Sequence, residues 1–185
     1  MRTKITLLSL AIGSALASQA AMAGYGDRQK LTEADVMAAQ QAWGEALLQI
    51  SRDYAENGIE HARKTAEATL NSAYAFNHST VLFNPTLTSG ETTFRMTHDG
   101  ALAYFVGGCE NYPDSGFALK GWESFDIQNA GMLINGDMAI SMGHVTLTNG
   151  DGEVTKVDKT WGFQRFDDGD LRIVLHHSSL PFMGS

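Results

Sequence analysis

The segment Leu171-Arg172-Ile173-Val174-Leu175-His176-His177-Ser178-Ser179-Leu180-Pro181 brings aliphatics, imidazoles and hydroxyls together in one strand-like run. Side chains alternate across a strand, so His177 and Ser179 share one face while His176 and Ser178 share the other. Whichever face is interior, an imidazole and a hydroxyl enter it near the strand's C-terminal end. Left without partners, such buried groups cost about 1–3 kcal/mol each. Backbone groups or a dimer partner could satisfy them. So could other polar side chains converging on the same place: Thr86 follows Asn84-Pro85 at a strand end, and Tyr104 lies on a short apolar helix where a buried hydroxyl needs a partner.

Other chemistries are poorly supplied. The six histidines raise the question of zinc, but His61 and His98 lack a second ligand at i+3 or i+4. His176 and His177 diverge from a shared strand, His144 lies on a different one, and no His-x-His pair exists. Asp137, Asp151, Asp167, Asp168 and Asp170 fall in turns, where they serve turn geometry rather than the dense ligand order of a calcium loop. Gly107-Gly108 has no following Lys-Ser/Thr and reads as a helix stop, not a phosphate loop. No nucleophile elbow surrounds Ser178 or Ser179. Cys109 has no evident histidine base.

The elements that must position these residues can be read from pattern. Thr32-Glu33-Ala34-Asp35 is a helix start with a hydroxyl cap and an acid three residues on. Val36, Trp43, Leu47, Ile50 and Tyr54 then mark one helix face, which Asn57-Gly58 ends. A second helix over about 59–74 presents Ala62, Ala66, Leu70 and Ala73, small enough for close packing. Thr80 to Thr86 reads as a short strand stopped by Pro85, and Thr97 to Val106 as a capped short helix closed by glycines. From Phe117 onward apolar and polar residues alternate, broken at Asn135-Gly136-Asp137, Asn149-Gly150-Asp151-Gly152 and Asp167-Asp168-Gly169-Asp170. These breaks are hairpin turns and define an antiparallel meander of about four long strands. Helices first and a curled sheet afterwards is an α+β plan, with the long helix covering one sheet face.

The chain's start reads as a secretory leader: Arg2 and Lys4, an apolar run from Ile5 to Ala17, and a small-x-small site at Ala21-Met22-Ala23. Cleavage after Ala23 would leave 162 of the 185 residues as one domain, residues 24–185, in the periplasm or outside the cell. Without Arg2 and Lys4 the chain holds 11 basic and 21 acidic residues, a net charge of −10 that opposes nucleic acid and anionic membranes. The leader's apolar run is too short to span a bilayer, and no later segment reaches about 20 apolar residues. Cys109 stands alone, so an internal disulfide is excluded and stability must come from packing.

Four motifs resemble the iota-class carbonic anhydrases: Val81-Leu82-Phe83-Asn84-Pro85-Thr86, Phe94-Arg95-Met96-Thr97, Gly100 through Gly108, and His176-His177-Ser178-Ser179-Leu180-Pro181. The likeness runs from about Leu31 to Phe182. It implies the cone-shaped roll of the nuclear-transport-factor superfamily, shared with the association domains of calcium/calmodulin-dependent protein kinase II. It also implies reversible hydration of CO2 to bicarbonate. By motif, the residues that line the cavity of metal-free members fall on Thr86, Tyr104, His177 and Ser179. With no independent metal motif in the chain, the expectation is no cofactor, with zinc or manganese use, known for some members, as the alternative. Bulky residues closing the pocket (Phe83, Phe105, Trp161) would argue against a larger substrate. The rival function is a non-catalytic oligomerisation or small-ligand-binding module of the same fold. The sheet surface opposite the long helix is expected to pair with a second copy, giving a homodimer.

Overall fold

The computed structural model describes residues 30–184, so the segment read as a secretory leader lies outside the described residues. Helix α1, Glu33–Asn57, starts at Thr32, whose hydroxyl accepts from the Asp35 amide while the Asp35 carboxylate accepts from the Thr32 amide. That reciprocal pair satisfies two backbone donors that no helical carbonyl can reach. Thr32→Ala should lower stability by about 1 kcal/mol in a denaturant melt. Gly58, at φ 81°, ends α1 and opens α2, Ile59–Ala73. The expected face of α1 is buried except for Tyr54, which is exposed near the helix's C-terminal end.

Strand β1, Leu82–Asn84, and helix α3, His98–Val106, follow. The meander is β2, Trp122–Asn135; β3, Met138–Asn149; β4, Val154–Arg165; and β5, Leu171–Ser179. The sheet order is β1-β5-β4-β3-β2, antiparallel throughout except that β1 runs parallel to β5. Residues 117–119 form a 3-10 turn, so alternation begins at Trp122 rather than Phe117.

Two devices seat α1 on the sheet. Gly44 lets the helix backbone approach Phe125 of β2; a Cβ there would sit 2.3 Å from the ring. The buried Gln40 amide donates to Asn129 Oδ1 (3.0 Å) and Ser141 Oγ (2.9 Å), and its oxygen accepts from Asn129 Nδ2 (2.8 Å). A fully partnered amide of this kind fixes register where an unpaired one would destabilise the interface. Between α1 and the sheet lies the core, including Leu47, Ile50, Val145, Leu147 and Val157.

Candidate active site

Strand β5 carries a bulge, and the bulge decides which histidine enters the core. Phe163 pairs with Ile173, yet Gly162 pairs with Leu175, leaving Val174 as the extra residue. Counting by twos from buried Ile173 would bring Leu175, His177 and Ser179 inward. One inserted residue reverses that parity, so His176 and Ser178 face the interior instead. His176 is 2 % and Ser178 6 % exposed, while His177 and Ser179 are only half-buried. The motif resemblance points to His177 and Ser179; in the structure His176 and Ser178 hold the inward positions and His177 and Ser179 the other face. Gly162 was the available signal: a glycine inside a strand often marks a bulge, and here a Cβ would meet Leu175 at 2.8 Å.

Thr86 and Tyr104 do line the chamber. With His176 and Ser178 they border an enclosed cavity of about 10 Å³, whose other walls are Trp43, Phe117, Val145, Leu147, Val157 and Lys159. That volume is about what a single water requires. Phe83, Phe105 and Trp161, expected to close the pocket, instead pack in the core behind it. His177 opens on the other side of the sheet, into an apolar groove with Leu82, Phe94 and Met96.

The hydroxyls form a directed chain. Ser178 Oγ accepts from the Thr86 amide (3.1 Å) and from Thr86 Oγ1 (2.6 Å). The Ser178 proton is then the one left to point into the cavity. Two donors on its oxygen make Ser178 a stronger donor through polarisation along the chain. The Tyr104 phenol lines the same cavity beside Thr86. Burial holds the Tyr104 phenol well above its ordinary pKa, with Tyr74 and Asp114 acting in the same direction, so it stays protonated.

A second chain enters from the opposite wall. Trp43 Nε1–H donates to the Tyr74 hydroxyl (2.9 Å), which bonds His176 Nδ1 (2.8 Å), and His176 Nε2 meets Lys159 Nζ. Burial pushes the His176 pKa well below the usual histidine range, so the ring is neutral. Lys159 and Tyr74 went unread in the sequence. Lys159 sits between Val157 and Trp161 at inward spacing on β4, which was the signal for it.

Outside the chamber a vestibule of about 150 Å³ shares Tyr104 and Phe117 with it. Those two rings stack with centroids 5.3 Å apart, forming the partition between the two spaces. Arg95 and Asp114 line the outer side.

A curled sheet capped by helices, with a water-sized polar chamber inside the roll, defines an α+β protein built for a very small substrate. A family model described as metal-independent carbonic anhydrase matches residues 34–180. A curated metal-independent carbonic anhydrase from Nostoc sp. is 44% identical over 188 residues, covering 94% of this chain and 92% of that protein. The crystal structure of an iota-carbonic anhydrase from a cyanobacterium, complexed with bicarbonate, superposes with TM-score 0.83 at 48% identity, covering 85% of this chain and 96% of that one. A calcium/calmodulin-dependent protein kinase II association domain from Xanthomonas campestris shares the fold, with TM-score 0.53, 22% identity and coverage of 80% and 88%. The chain belongs to the metal-independent carbonic anhydrase family.

Proposed function

We propose that this protein catalyses the reversible hydration of CO2 to bicarbonate without a metal. One observation carries the reading: the hydrogen-bonded Thr86 and Ser178 hydroxyls and the Tyr104 phenol border one largely apolar cavity of about 10 Å³, which CO2 enters as its walls yield. CO2 is apolar and favours such walls, while Val145, Leu147, Val157 and Phe117 exclude bulk water. A water held against the carbon in near-attack geometry needs little further reorganisation. As its oxygen attacks, negative charge grows on the CO2 oxygens. The Ser178 hydroxyl, polarised by the Thr86 amide and hydroxyl, donates to that charge where the low dielectric makes a fixed donor effective. The role motif resemblance implied for His177 and Ser179 thus passes, on placement, to His176 and Ser178. The non-catalytic reading gives no reason for three hydroxyls to converge on a cavity this small.

The family is described as metal-independent. Among the described residues no group of three or more His, Cys, Asp or Glu is placed to hold an ion. Stopped-flow CO2 hydration should therefore be unchanged after exhaustive chelation. Loss of activity with rescue by zinc or manganese would overturn the metal-free reading.

Export is part of the proposal, supported by the charged start, the short apolar run and Ala21-Met22-Ala23. A homodimer through the sheet face away from α1 is supported by Leu133, Ile140 and Met142, which are exposed there.

A further inference from the structure

The chamber holds a group that the chemistry above does not use. Lys159 on β4 lies directly across from Ser178 on β5, lines the cavity and is 4 % exposed. None of the ion pairs among the described residues includes it. Its amine sits 5.0 Å from the Trp43 ring and 4.9 Å from the Trp161 ring, and it bonds His176 Nε2.

Hydrogen-bond accounting fixes the resting state of that amine. The Tyr74 hydroxyl accepts from Trp43, and its own proton has His176 Nδ1 as acceptor. With Nδ1 accepting, the neutral imidazole carries its proton on Nε2, which donates to Lys159 Nζ. An ammonium has no lone pair to receive it; a neutral amine does. The opposite tautomer would strand the Tyr74 proton in a fully buried place, at the cost such orphans carry. Burial, holding Lys159 well below the usual lysine range, acts in the same direction. The titratable groups around it are His176 on β5, Tyr74 just after α2 and Tyr104 on α3, and none is a carboxylate.

We propose that Lys159 is the proton acceptor of the hydration step, with His176 as the positioning residue that holds the neutral amine at the chamber wall until water arrives. The inference rests on the carbonic anhydrase reading. The amine turns its single lone pair from His176 Nε2–H to the bound water, an O–H bond of that water breaks, and its proton joins the freed lone pair. The water oxygen forms the new bond to the CO2 carbon, and a C=O π pair moves onto the oxygen facing Ser178. Bicarbonate and a lysine ammonium result. The Trp43 and Trp161 faces stabilise that transient cation, and the amine returns its proton to solvent water or buffer after bicarbonate leaves.

The test is stopped-flow CO2 hydration by the wild type, Lys159→Met and Lys159→Ala, with circular dichroism on each. Both variants should lose about 10²-fold in kcat, the scale of a general base. The wild type should lose activity as acid protonates Lys159, and that acid limb should disappear in the variants. Propylamine should restore Lys159→Ala, and propan-1-ol, which fills the same space without a base, should not. An inactive wild type would defeat the functional reading itself. An active wild type alongside a fully active, folded Lys159→Met, or equal rescue by propan-1-ol, would overturn the assignment of Lys159 alone.

Discussion

Ser178→Ala should reduce CO2 hydration by about 10²–10³-fold, the loss seen when one preorganised oxyanion donor is removed, whereas Ser179→Ala and His177→Ala should stay within about twofold of wild type in kcat/KM. The contrast follows from the Val174 bulge, which turns His176 and Ser178 inward and their neighbours outward. Ser178→Ala also removes the acceptor of the Thr86 amide and hydroxyl. A stability loss of about 1–3 kcal/mol should accompany the kinetic effect, so activity is to be compared at a temperature where circular dichroism shows the variant folded. Full activity in Ser178→Ala with loss in Ser179→Ala would place the chemistry on the other face of β5.

Asp114→Ala should destabilise the protein by about 3–5 kcal/mol, because it leaves a buried cation without its counter-charge. Arg95 is 1 % exposed; its two terminal nitrogens grip both Asp114 oxygens at 2.5 and 3.1 Å. Its Nε donates to the Thr92 carbonyl (2.6 Å), and the guanidinium lies 4.4 Å from the centre of the Tyr112 ring. Nothing else in that set is negative, so truncating Asp114 cannot be absorbed locally. The pair also lines the vestibule, as does Tyr104. Urea melts of wild type and Asp114→Ala give the difference directly; a change under about 1 kcal/mol would mean that solvent reaches Arg95 in the native state.

Much of the architecture was legible because local signals agreed with one another. Thr32 and Asp35 mark the start of α1, Gly58 its end, and the Asn-Gly and Asp-Gly breaks separate β2 to β5 as expected. Spacing offered Thr86 and Tyr104 only as a strand-end hydroxyl and a phenol that could reach the same place, and the motif resemblance is what singled them out. The choice between His176 and His177 was not legible by alternation. A one-residue bulge changes parity without changing composition, and the tertiary pairing of Gly162 with Leu175 is what sets it. Tyr54 misled for a different reason: helical spacing predicts which face a residue shares, not how much of that face is covered near the helix end. Lys159 is hidden because a lysine on a strand reads as a solvated residue, and only its burial beside two tryptophans and His176 reveals it.

A bicarbonate soak of crystals of the wild-type protein, at near-atomic resolution, bears most directly on where the reaction takes place. The ligand should lie within hydrogen-bond reach of Ser178 Oγ, enclosed by Tyr104, Thr86 and Lys159, with the walls adjusting slightly to admit it. Bicarbonate bound instead on the outward face beside His177 and Ser179, with the inner chamber unchanged, would contradict it.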